Sequence, residues 1–107
     1  MNVLRWDKKF ALEQAADDTE LLEELLDIFK DSLRSDINII EEGTLAGDTA
    51  KVCSGAHSIK GAAASLGILA INEVAMKIEE DSRAGGLTQA EQLLPKLRTL
   101  LAEVQKM

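Results

Sequence analysis

The sequence predicts an all-α protein: an antiparallel up-down four-helix bundle with a short extra N-terminal helix. Three observations carry that expectation. Apolar residues recur at spacings of three and four, alternating β-branched runs are absent, and the chain is rich in Ala, Leu, Glu and Lys. With 107 residues and 46% hydrophobic content, residues 1–107 suffice for a single domain around one core. No repeat, low-complexity tract or linker divides them.

The first helix is expected from about Asp7 to Gln14. Asp17 and Glu20 then stand at the spacing of a capping box that opens a long second helix. Leu22, Leu26, Phe29, Leu33 and Ile40 form its buried stripe, with Leu21, Leu25, Ile28 and Ile37 widening it. Gly47 breaks this helix, and Asp48 is placed to cap the third. The third carries Val52, Ala56, Ile59, Ala63 and Leu66 at steps of four and three, and Gly67 loosens or ends it. A fourth helix follows from about Ile68 to Ala84, with Ile71, Val74 and Ile78 inward, and Gly85-Gly86 stops it. Thr88 and Glu91 read as a second capping box, and Ala90, Leu93, Leu97, Leu100, Val104 and Met107 line one side of the last helix. Pro95 falls inside that pattern, which calls for either a kink or a later helix start.

Composition narrows the function classes. A net charge of -7, from 19 acidic and 12 basic residues, opposes nucleic-acid binding, which needs basic patches. Trp6, Phe10 and Phe29 are the only aromatic residues and offer no base-stacking platform. The lone cysteine, Cys53, excludes an internal disulfide, and the cytoplasm is the expected location. The segment Met1–Lys9 lacks the apolar core of a leader peptide, and no apolar run is long enough to span a membrane. The expected partners are proteins, and the chain is expected to be a monomer.

His57 is the only histidine, in the run Ala56-His57-Ser58-Ile59-Lys60-Gly61-Ala62-Ala63-Ala64-Ser65-Leu66-Gly67. At about 100° per residue, its side chain points about 140° away from the centre of the buried stripe. Lys60 lies on one flank of the ring, and Cys53, Gly61 and Ala64 surround it with little bulk. Gly61 costs the helix about 1 kcal/mol relative to alanine, and the close approach of another protein would give that glycine a purpose. Position alone also fits an ordinary exposed helical residue. Cys53 and His57 at i and i+4 fall short of the four ligands of a closed zinc site, so no metal is expected in this chain. A Cys53 nucleophile would lack an orienting group and an oxyanion hole.

That run resembles the signature of histidine phosphotransfer (HPt) domains, including those that begin chemotaxis histidine kinases. The histidine, the lysine three on, and the glycines four and ten on carry the likeness. It extends to the acidic, leucine-rich second helix, to Arg83-Ala84-Gly85 closing the fourth, and to the amphipathic last helix. The resemblance implies that His57 takes a phosphoryl group from a receiver-domain aspartyl phosphate, or from a histidine kinase, and passes it to another response-regulator receiver. It implies further that Lys60 lies near the phosphoryl group and that Gly61 leaves room for the receiver. Glu79 matches the position where the family often places a Glu or Gln beside the histidine, and is expected to accept from Nδ1–H; Glu80 is its neighbour. At neutral pH an exposed imidazole is largely in its uncharged, nucleophilic form, and a lysine can offset the added phosphate charge.

The chain has no glycine-rich nucleotide loop, so it is expected to be a phosphoryl carrier rather than an enzyme, with no cofactor of its own. The Mg²⁺ that phosphoryl transfer needs is expected in the partner receiver. Ala50, Cys53, Ser54, Gly61 and Ala64 are the expected docking surface, with Ser65 and Lys60 at its margin. The alternative is a non-catalytic helical module that binds a receiver or kinase; a metal-binding bundle is the less favoured third reading.

Overall fold

The computed structural model describes residues 3–107; Met1 and Asn2, which open the segment read for a leader peptide, lie outside the described residues. Five helices follow in order: α1 (Lys8–Gln14), α2 (Thr19–Ala46), α3 (Thr49–Ser65), α4 (Leu69–Arg83) and α5 (Thr88–Gln105). No strand occurs among the described residues. Helix α2 packs on α3, α3 on α4, α4 on α5, and α5 back on α2, while α1 lies against α2. The connections are short, so successive helices of the ring run antiparallel. The 28 residues of α2 make a rod of about 42 Å, which sets the 42 Å long axis of the molecule.

The core follows the predicted stripes. Leu33, Ile37, Ile40, Val52, Ile59, Ile71, Ile78, Leu97 and Val104 are fully buried, each large aliphatic side chain contributing about 1.5–3 kcal/mol of transfer free energy. Helices α2 and α3 approach closely because glycines face the contact. A Cβ on Gly55 would stand 2.9 Å from Ile40 Cγ1, and one on Gly43 would stand 2.8 Å from Val52 Cγ2. Helix α3 is thereby held at a distance that larger residues would not allow.

Several local expectations change. Asp17 does not cap α2: it sits in the left-handed region with φ 60°, whereas an N-cap needs extended backbone, which Asp18 supplies while accepting from the Glu20 and Leu21 amides. Nor does Thr88 cap α5. Asp81 of α4 reaches over the glycine turn and accepts from the Gln89 amide at 3.0 Å instead. Leu21 and Ile28 do not widen the buried stripe, since Leu21 is 38% and Ile28 65% exposed, whereas Leu26, Phe29 and Leu33 are buried. Helix α5 runs unbroken from Thr88 through Pro95, which is exposed, so the carbonyl that loses its amide partner lies on the solvent side.

The turn from α3 to α4 is tied down by the chain's beginning. Gly67 takes φ 69° there, and a Cβ would be 2.9 Å from the Asp7 carbonyl oxygen, so only glycine fits. The Asp7 amide donates to the Gly67 carbonyl at 2.9 Å, the Ala70 amide donates to the Leu4 carbonyl at 3.0 Å, and Trp6 Nε1 donates to the Leu66 carbonyl at 2.9 Å. Orphan backbone groups at this corner are thus satisfied by residues sixty positions away.

Candidate functional site

Helix α3 buries Val52, Ala56, Ile59 and Ala63 and turns the opposite side outward. His57 lies on that outer side with its side chain 69% exposed. Ala50, Ser54, Gly61 and Ala64 are also exposed and Cys53 is half-buried, so the expected docking residues share one low-bulk face. A Cβ on Gly61 would meet nothing within 4 Å. The fold therefore gives no packing reason for that glycine.

Across from the ring stands Glu79 of α4, a carboxylate that is 1% exposed. Its Oε2 lies 2.5 Å from His57 Nδ1, and its Oε1 lies 2.5 Å from Lys60 Nζ. Arg83, one turn further along α4, donates from Nη2 to Oε2 at 3.0 Å. Lys60 foremost, through its hydrogen bond and its charge, together with His57 and Arg83, holds the Glu79 carboxyl below its ordinary range, although burial opposes the shift. That downward shift favours the ionised form of Glu79, which is an acceptor, and an Nδ1 carrying the ring hydrogen is the donor that matches it.

Further contacts fix the helix that presents the ring. Ser58 donates to Asp36 Oδ2 on α2 at 2.7 Å, and Asn72 Nδ2 on α4 donates to the Lys60 carbonyl at 3.0 Å. His57 is thus flanked by bonds to both neighbouring helices. Sequence reasoning misses Arg83, Asp36 and Asn72 as neighbours of the site. The i, i+4 spacing of Glu79 and Arg83 was a signal for the first of these; nothing in the spacing points to the other two. Beside the histidine face an apolar groove opens between α2 and α3, lined by Leu25, Ile28, Phe29, Ala62 and Leu66.

The Hpt domain family model matches residues 24–107, and the chain belongs to that family. Among solved structures, the HPt domain of a sensor hybrid histidine kinase from Shewanella is similar, with a TM-score of 0.79 over 98% of this chain and 94% of that one, at 22% identity. That likeness shows a shared fold. No curated protein matches the chain. Members of the family carry phosphoryl groups in phosphorelay signalling and work with receiver domains and kinases, and this chain is a phosphotransfer domain of that kind. No helix among the described residues is long and apolar enough to cross a membrane.

Proposed function

We propose that His57 is the phosphoryl-accepting residue and Nε2 its reacting atom. The observation that carries this reading is an exposed imidazole whose Nδ1 lies 2.5 Å from the buried Glu79 carboxylate. With the hydrogen held on Nδ1, Nε2 keeps its lone pair for phosphorus. That pair attacks the phosphorus of an aspartyl phosphate on a receiver domain, forming a P–Nε2 bond. The P–O bond to the aspartyl carboxylate breaks, and the carboxylate leaves with the electron pair. The Nδ1 hydrogen stays on the ring, whose new positive charge faces Glu79. The reverse step delivers the group to the aspartate of another receiver; a histidine kinase domain is the second kind of donor.

Lys60 offsets the phosphoryl charge in this scheme, and the receiver brings the Mg²⁺ in its own acidic pocket. The receiver rests on Ala50, Cys53, Ser54, Gly61 and Ala64, and the groove at Leu25 and Ile28 extends that face on to α2. Such a contact is small and short-lived, which lets donor and acceptor exchange.

The test is to mix the chain with receiver domains of the same organism charged with labelled acetyl phosphate. An acid-labile, alkali-stable label is expected on the chain, and His57→Gln is expected to keep the helical fold and lose the label. Label persisting in His57→Gln overturns the assignment, while receiver binding without any transfer favours the non-catalytic binding module.

A further inference from the structure

Glu79 meets three nitrogen groups, and they are not equivalent. Lys60 Nζ is paired with Oε1, whereas His57 Nδ1 and Arg83 Nη2 share Oε2. His57 and Lys60 come from α3 and Arg83 from α4, and these are the charged groups that face the carboxylate among the described residues. A lysine ammonium is a point charge on a flexible stem; a guanidinium keeps its charge and its planar geometry throughout. A phosphoryl group on Nε2 brings close to two negative charges within reach of Lys60. Once Lys60 turns to it, Oε1 is left unpaired inside the protein. A buried carboxylate that loses its counter-charge tends to take up a proton, and a neutral carboxyl no longer fixes the hydrogen on Nδ1.

We propose that Arg83 is a positioning residue for phosphotransfer, keeping Glu79 ionised against His57 Nδ1 while Lys60 leaves Oε1 for the phosphoryl group. This inference rests on His57 being the phosphorylated residue. In this scheme Lys60 gives up Oε1 for the phosphoryl group, and Arg83 stays on Oε2, the oxygen it shares with Nδ1. With the protonated ring, the lysine and the arginine present, the carboxylate and a doubly charged phosphoryl group are balanced. Without Arg83 the phosphorylated cluster carries one uncompensated negative charge.

Potassium phosphoramidate tests this without any receiver, because it phosphorylates an accessible imidazole directly: the P–Nε2 bond forms as its own P–N bond breaks and ammonia leaves. Arg83→Gln is expected to slow phosphorylation of His57 by about fivefold at about pH 7.5 and to move the acid limb of the rate profile to higher pH. Arg83→Lys is expected to recover most of the rate. In a Glu79→Gln background the neutral amide needs no counter-charge, so there Arg83→Gln should change the rate by less than about twofold. Equal rates in the wild type and Arg83→Gln overturn the inference. So does the same loss with and without Glu79→Gln, which would put Arg83 on the phosphoryl group itself. Absence of phosphohistidine in the wild type, with phosphoramidate and with charged receivers alike, overturns the assignment of His57 and this inference with it.

Discussion

The proposed orienting role of Glu79 rests on its burial and on its 2.5 Å contact with His57 Nδ1. A carboxylate at the surface would share its lone pairs with water; among the described residues this one meets Lys60, Arg83 and His57. Glu79→Ala frees the ring, so both tautomers become populated and either nitrogen can react. Treatment with phosphoramidate followed by phosphorus NMR is expected to give one phosphohistidine isomer in the wild type and a mixture in Glu79→Ala, with transfer from a receiver slowed by about three- to tenfold. A single isomer in both would retire the orienting role. The outward direction of His57 is legible in the sequence, since the α3 stripe fixes the helix rotation. Its pairing with Glu79 is reached only through the family resemblance, as no periodicity relates position 57 to 79 in preference to Glu80. Arg83 escapes because a charged residue in the last turn of a helix reads as a solvated cap.

Helix α3 is rich in Ala, Gly and Ser, with Val52 and Ile59 as its large buried side chains, and the reasons for its glycines differ by side. Toward α2, Gly55 is required by Ile40; toward solvent, Gly61 is required by nothing within the chain. Gly61→Gln is therefore expected to stabilise the isolated protein by about 0.5 kcal/mol through helix propensity. The same change is expected to cut receiver transfer by about tenfold or more by filling the docking face. Urea unfolding and labelling rates measure the two effects, and wild-type transfer in the variant would remove the reason for the glycine. Helix order and core stripes are legible because burial imposes a period near 3.6 on the apolar residues. Gly47 and Asp48 are legible too, ending α2 and capping α3 as their residue types predict. The N-caps of α2 and α5 are not, because they depend on where the backbone bends: Asp17 and Asp18 are chemically alike, and only the left-handed turn at Asp17 selects its neighbour. The surface position of Ile28 is likewise hidden, since an apolar residue at the edge of a stripe looks the same whether a neighbouring helix covers it or a partner protein does.

For the molecule as a whole, the buried carboxylate links folding to pH. The Glu79 carboxyl titrates lower in the folded chain than its ordinary value, so the folded state binds fewer protons than the unfolded state. Its contribution to stability is complete above the unfolded carboxyl range and is lost as pH falls through the lowered folded value. Urea unfolding from about pH 7 down to about pH 3 should therefore show a steeper acid loss in the wild type than in Glu79→Gln, which has no proton to gain there. Parallel curves would remove Glu79 as a source of the acid sensitivity. The same whole-molecule view gives meaning to the knot that Leu4, Trp6 and Asp7 tie at the corner between the histidine-bearing and glutamate-bearing helices. A segment fused ahead of Leu4 would therefore join the molecule at the turn between those two helices.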